Sequence, residues 1–118
     1  MTEATRVGLS ESTDGELITV AATATVGTLI HTSSNLTSNS QYDEVWLMAA
    51  NIHTGDILLT IEVDIANDAA SYFTVTVPAQ AGLYSVAPGI SLHNGKKITA
   101  FAATADKIKI CGNVDAHV

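Results

Sequence analysis

The stretch Ile57-Leu58-Leu59-Thr60-Ile61-Glu62-Val63 carries the plainest fold signal in the chain. Its odd-numbered positions are all aliphatic, and this period of two is typical of a half-buried β-strand. Residues 54–56, Thr-Gly-Asp, come just before it and predict a tight turn. Residues 72–77 alternate in the same way until Pro78 ends the pattern. The two stretches together predict a β-hairpin.

The rest of the chain repeats this pattern of short strands separated by turn signals. Residues 43–51 are apolar on both faces, which predicts a central strand. Polar stretches at 32–41 and 66–70 are expected to be loops. Further strands are predicted within 16–32, with a bend at Gly27, and at 82–86, 89–92, 97–102 and 107–114. No stretch shows helical spacing, so we predict an all-β chain of eight or nine strands.

The length of the chain and the spacing of its predicted strands favour one domain. A chain of 118 residues, 47% of them hydrophobic, holds enough apolar material for a single core. Strands spaced by turns in this way predict a single β-sandwich of jelly-roll or immunoglobulin-like topology, which we place at residues 16–118. Residues 1–15 are mixed polar and show no period, so we predict a flexible N-terminal arm there.

Charge and apolar runs limit the expected partners. The formal net charge is -7 and Lys and Arg number 5, so the clustered cations that bind a phosphate backbone are missing and no nucleic acid is expected. The first residues lack a signal-peptide pattern, and no apolar run approaches the ~18 residues of a membrane span. We therefore expect a protein made in the cytoplasm, with no membrane partner.

Motifs for chemistry are not found in the sequence. The four histidines, 31, 53, 93 and 117, lie far apart, and Cys111 is the one cysteine, so zinc spacing is not present. The acidic residues at 64–68 lack the spacing and the glycine of a calcium loop. Glycine-rich phosphate loops and nucleophile elbows are also missing. We predict no catalytic, metal or cofactor site, and Cys111 is expected to be a buried, inert thiol.

The lysines near the C-terminus are candidate assembly contacts. Lys107 and Lys109 alternate with two isoleucines, so both lysines should emerge on one outer face if the isoleucines enter the core. One interpretation is an edge strand guarded by charge. The other interpretation is that these lysines contact acidic residues of a neighbouring subunit. Lys96, Lys97 and Arg6 are further candidates for such a contact.

Three stretches resemble known small structural proteins. They are Asp43-Glu44-Val45-Trp46-Leu47-Met48-Ala49-Ala50-Asn51 with Leu58-Leu59-Thr60-Ile61-Glu62, then Val75-Thr76-Val77-Pro78-Ala79-Gln80-Ala81-Gly82-Leu83, and Ile98-Thr99-Ala100-Phe101-Ala102-Ala103-Thr104. Together they resemble small all-β virion proteins encoded by tailed phages and prophages, of which capsid decoration (cement) proteins and small head or tail accessory proteins are the most similar. The resemblance covers about residues 42–114.

The resemblance implies a function in the virion. A decoration protein binds the outer surface of an assembled shell and stabilises it by bridging subunits. The implied partners are further copies of this chain, in a homo-oligomer for which a trimer is preferred by analogy, and the major capsid protein or another virion protein. A chain with 14% charged residues can bury flat surface at a low desolvation cost, which is compatible with this role.

Glycan recognition is the alternative function from another class. Small β-sandwiches can hold sugars against an exposed aromatic ring, and Tyr42, Trp46 and Tyr84 are the candidates. Trp46 lies in the middle of a predicted strand, so we assign it to the core instead. An enzyme is the third possibility and has no sequence support.

Overall fold

A computed structural model describes residues 4–33, 41–64 and 71–117 and confirms the all-β prediction. The described residues form two antiparallel sheets and no helix. The strands are β1 Ala4–Val7, β2 Ile18–Thr19, β3 Thr28–Thr32, β4 Tyr42–Asn51, β5 Ile57–Val63, β6 Tyr72–Val77, β7 Tyr84–Leu92, β8 Lys97–Ala102 and β9 Ile108–His117.

The strands pair in a nested order, in which the first strands of the chain pair with the last and the middle strands pair with each other. β5 pairs with β6, β4 with β7, β3 with β8, and both β1 and β2 pair with β9. Pairings of β4 with β9 and of β5 with β8 join these nested pairs into two sheets. Sheet A has the order β1-β9-β4-β7, with β2 also on β9, and sheet B has the order β3-β8-β5-β6. This nested order is a jelly roll, one of the two predicted topologies.

The core lies between the inward faces of the two sheets. Each central strand contributes alternate aliphatic residues that are at most 2% exposed. They are Val45, Leu47 and Ala49 on β4, Ile108, Ile110 and Val114 on β9, Ile57, Leu59 and Ile61 on β5, and Ile98, Ala100 and Ala102 on β8. Burial of each larger side chain contributes about 1.5–3 kcal/mol, so this set supplies the main drive for folding.

Residues 4–15 are the described part of the predicted N-terminal arm, and residues 4–10 of it dock on the sandwich. β1 pairs with residues 114–117 of β9. Leu9 is 3% exposed and belongs to the core cluster. The Ser10 N–H donates a hydrogen bond of 3.0 Å to Nδ1 of His31. The sequence carries little signal for this docking because backbone pairing of a short edge strand does not require alternating apolar residues.

Pro88 and Gly89 lie inside β7 and do not separate two strands. The ladder between β7 and β4 shifts register twice, as it does at β-bulges. β7 is an edge strand of sheet A, where a proline without an N–H is tolerated. Gly89 has a φ of 79°, which favours glycine. The strands predicted at 82–86 and 89–92 are therefore one bulged strand.

Parts of two predicted connections lie outside the described residues. They are residues 34–40 of the loop expected at 32–41 and the turn expected at 66–70. Most of the acidic stretch at 64–68 lies outside as well.

Candidate functional site

The outer face of sheet A carries an open depression around Trp46. Trp46 is 40% exposed, whereas its neighbours Val45 and Leu47 are at most 1% exposed and point into the core. Alternation along β4 therefore turns the indole away from sheet B. The prediction that Trp46 belongs to the core is wrong, because only one of the two apolar faces of β4 packs against the other sheet.

The depression crosses four strands of sheet A and has a volume of about 330 Å³. Small-molecule sites in proteins typically measure about 300–1,000 Å³, so this one is at the small end of the range. We call it the Trp46 depression. Its lining residues are Arg6 on β1, Asn113 and Asp115 on β9, Trp46, Leu47 and Met48 on β4, and Ser85 and Ala87 on β7.

One wall of the Trp46 depression is polar and contains an ion pair between Arg6 and Asp115. Nε and Nη2 of Arg6 donate hydrogen bonds of 3.0 Å and 3.4 Å to the two carboxylate oxygens of Asp115. This two-point pair raises the pKa of Arg6 and orients both groups. Asn113 lies directly opposite Trp46 in the β4–β9 ladder, so their side chains share the outer face. The indole therefore has a carboxylate, a guanidinium and an amide beside it.

The opposite wall is formed by β7, which leaves room for the indole. A Cβ atom at Gly89 would lie 3.2 Å from Cζ2 of Trp46 and 3.5 Å from Oε2 of Glu44. Glycine at this position lets the ring approach the backbone of β7, with the Glu44 carboxylate next to it. The Arg6–Asp115 pair is neutral as a unit, and Glu44 adds a second carboxylate beside the ring.

The outer face of sheet B has a different chemistry. Lys97, the first residue of β8, is exposed on this face at one end. The outward residues beyond it are Thr99 and Phe101 on β8, Leu58, Thr60 and Glu62 on β5, and Tyr72, Thr74 and Thr76 on β6. We call this set the sheet B face. Leu58 and Tyr72 are 48% and 55% exposed, while Glu62, the one charged member, is 1% exposed. The accessible part of the face is therefore formed by threonine, aliphatic and aromatic side chains.

A buried carboxylate fastens the β2–β3 connection onto the sheet B face. Oε1 of Glu62 accepts hydrogen bonds from the Gly27 N–H at 2.8 Å and from Oγ1 of Thr99 at 2.7 Å. Oε2 accepts a third, of 2.7 Å, from Oγ1 of Thr25. Three donors compensate for the removal of the carboxylate from water. Beside it a second depression, of about 250 Å³, is lined by Thr25, Thr60, Glu62, Tyr72 and Phe101.

The predicted assembly cations occupy separate parts of the molecule. Lys96 lies in the turn before β8, with Nζ 3.4 Å from Oδ2 of Asp64, and Lys97 begins β8. Lys107 comes just before β9 and Lys109 is its second residue. Both lie at the opposite end of the sandwich from Lys97, because β8 runs from one end to the other before β9 begins. The fifth cation is Arg6 on β1, whose guanidinium lines the Trp46 depression. One subunit does not bring all five together.

The interpretation of β9 as a charge-guarded edge strand is wrong. β9 lies between β4 and the two short strands β1 and β2. Ile108 and Ile110 are fully buried, as the alternation predicted. Lys109 lies on the outer side and donates a hydrogen bond of 2.9 Å from Nζ to Oγ1 of Thr19. The edge is covered by β1, where no strand was predicted, and by β2, which lies within the strands predicted at 16–32.

Ser10, His31 and Asp43 form a polar chain that does not have the geometry of a catalytic triad. His31 and Asp43 are buried, whereas Ser10 is exposed. Nδ1 of His31 accepts the backbone N–H of Ser10, so Nε2 carries the proton and donates to Oδ2 of Asp43 at 2.9 Å. The Ser10 hydroxyl accepts the N–H of Thr32 at 2.8 Å and has no hydrogen bond to the imidazole ring. The histidine therefore ties the N-terminal segment to β3 and β4 and cannot activate that hydroxyl.

Two further histidines pack against Tyr42. The ring of His117 stacks on it with centroids 4.4 Å apart and an angle of 11°, and the ring of His93 is tilted at 5.4 Å. Nε2 of His117 lies 3.6 Å from Oε1 of Glu44, which is an ion-pair distance but too long for a hydrogen bond. With both neighbours in place, Tyr42 is less open to a ligand than Trp46.

Cys111 faces outward, opposite Met48, and is partly buried. Burial raises the pKa of the thiol, which lowers the thiolate fraction at neutral pH. In the part of the chain that the structure describes, no three His, Cys, Asp or Glu side chains are arranged to hold a metal ion. The described residues also contain no helix long and apolar enough to cross a membrane.

The sequence contained one signal for the exposed tryptophan. Trp46 has the same strand parity as Glu44, and a buried face would not accommodate an unpaired glutamate. The Arg6–Asp115 pair had no such signal, because its members are 109 residues apart. Comparisons of the chain with protein-family models, with characterised proteins and with solved structures find no match.

Proposed function

We propose that this chain is a structural protein of a tailed-phage virion, of the capsid decoration type. It is made in the bacterial cytoplasm, binds the outer surface of the assembled shell and stabilises that shell in the virion, without catalysis. The proposal starts from the resemblance over residues 42–114. The jelly roll is compatible with it, since viral capsid domains use this fold, but so do lectins and cupins. The fold alone therefore does not distinguish these functions, and the support has to come from the surface of the protein.

The sheet B face is the observation that carries the proposal. Interface cores in protein complexes are depleted of charged residues and enriched in aromatic ones. The exposed side chains of this face include Leu58 and Tyr72, and its threonines lose little on dehydration when their hydroxyls find new partners. Val26, 60% exposed, follows Thr25, which is fastened to the same face. These exposed apolar side chains lie along one outer face, and exposed apolar surface of this kind is typical of protein contact sites.

Several weak contacts would add up in an oligomer. A trimer, the preferred state, presents three sheet B faces to the shell, and linked contacts bind far more tightly than one. The partners are thus other copies of the chain and the major capsid protein. Lys96 and Lys97 border the sheet B face at one end and can meet carboxylates of a neighbouring subunit. Lys107, Lys109 and Arg6 remain candidates for contacts between other surfaces.

Changing Leu58 to glutamate is expected to weaken shell binding without unfolding the protein. The side chain is 48% exposed, so the change leaves the core intact but places a charge in the proposed interface. We expect affinity for shells assembled from the capsid protein of the same phage to fall about tenfold or more. Co-sedimentation with the shells measures binding. Light scattering of the free protein tests the oligomeric state, and we expect a mass about three times the 12.3 kDa of one chain.

Ser91→Glu is the matched control, because Ser91 is exposed on β7 in the other sheet. It adds the same charge and should bind shells like the unchanged protein. Equal binding by the two variants would exclude the sheet B face as the docking surface. A monomer without affinity for shells would exclude the decoration role, and binding to tails instead would favour the accessory role.

A further inference from the structure

We infer that the Trp46 depression is a binding site for a neutral saccharide. Shell docking through the sheet B face does not use it, since the two faces lie on opposite sides of the sandwich. The site would let a protein fixed on the shell hold carbohydrate of a cell surface.

The indole provides the stacking surface. One face of a pyranose ring is a flat array of C–H groups with a small positive charge, which complements the negative face of an aromatic ring. Trp46 is 40% exposed, and one edge of its ring lies close to the backbone of β7 at Gly89, so an open face of the indole is presented before a ligand arrives. A rigid aromatic side chain loses little entropy on binding.

The polar wall supplies partners for sugar hydroxyls. A hydroxyl both donates and accepts, so a sugar needs fixed groups of both kinds at the rim of the stacking surface. Asp115 accepts, Arg6 donates, and the amide of Asn113 does both. The two-point Arg6–Asp115 pair and the strand position of Asn113 hold these groups in place. Preorganised partners raise the affinity for a polar ligand.

The charges favour a neutral sugar over an acidic one. Asp115 already neutralises Arg6, and the Glu44 carboxylate lies near the indole. A uronic or sialic acid would meet this carboxylate, while Arg6, the cation that lines the site, is already paired with Asp115. An apolar peptide side chain fits less well, because binding it would bury charged and amide groups without new hydrogen bonds.

Trp46 is the single tryptophan of the chain, so its fluorescence reports directly on the site. The protein is titrated with maltose, cellobiose, lactose and chitobiose, and with glucuronic acid as the acidic comparison. We expect a saturable change in emission with at least one neutral disaccharide and none with glucuronic acid. Absence of a saturable change with all four disaccharides, or a response to the acid alone, would overturn the inference.

Variants separate the site from the rest of the surface. Asn113→Ala and Trp46→Ala should each weaken binding about tenfold or more, as measured by NMR shift titration, which does not need the indole. Tyr72→Ala, on the sheet B face, should bind sugar normally. Unchanged binding in Asn113→Ala would contradict the assignment. Because Trp46→Ala leaves the sheet B face intact, its co-sedimentation with shells should be normal, so failure of this inference and of the shell proposal are distinguishable.

Discussion

Replacing Gly112 with alanine is expected to lower the free energy of unfolding by about 3 kcal/mol, or to prevent folding. A Cβ atom at this position would overlap the carbonyl oxygen of Trp46 and would lie 3.1 Å from Cα of Leu47. Both are backbone atoms of β4, which cannot rotate away as a side chain does. β9 would have to separate from β4, with which it is paired over its whole length. Urea unfolding followed by circular dichroism measures the loss.

Gly8→Ala is the control for this prediction. A Cβ atom at Gly8 would have no heavy atom within 4 Å, and its φ is not in the left-handed region. Its effect should stay within about 0.5 kcal/mol of the unchanged protein. If Gly112→Ala were no more destabilising than Gly8→Ala, the close approach of β4 and β9 would be contradicted.

Replacing Glu62 with alanine is expected to cost about 3 kcal/mol of stability. The change leaves the Gly27 N–H and the hydroxyls of Thr25 and Thr99 without their acceptor, and each buried donor left unpaired costs about 1–3 kcal/mol. The Thr25 hydroxyl can turn towards water, so the total falls below the sum. Faster amide exchange at Gly27 should accompany the loss, because the β2–β3 connection is released from sheet B.

Glu62→Gln is the matched variant. Its amide oxygen can keep the hydrogen bonds from Gly27 and Thr99, while its NH₂ group can donate to the hydroxyl of Thr25. We expect a loss of about 1 kcal/mol. Similar losses for the two substitutions would contradict the claim that the three hydrogen bonds of Glu62 stabilise this position.

The sequence predicted elements whose signal is local. Alternation over 57–63 and 72–77 predicted the β5–β6 hairpin, because a period of two with one buried face requires no knowledge of the partner strand. The burial of Ile108 and Ile110 followed in the same way. In each case the apolar residues of one strand contain the whole signal.

Features that depend on the strand order could not be predicted. Both jelly-roll and immunoglobulin-like sandwiches contain short alternating strands, so spacing alone does not tell which strands become neighbours. The edge or central position of β9 depends on β1 and β2, whose pairing is made by the backbone. The same holds for the Trp46 depression, since Arg6 and Asp115 meet only after the two ends of the chain pair.

Hydroxyl-radical footprinting of the shell-bound protein tests the central claim, that the sheet B face docks on the shell, most directly. Leu58, Tyr72 and Trp46 are all exposed in the single chain, and each reacts with hydroxyl radicals. We predict that shell binding protects Leu58 and Tyr72 from oxidation while Trp46 stays as reactive as in the free protein. Protection of Trp46 with undiminished oxidation of Leu58 and Tyr72 would contradict it.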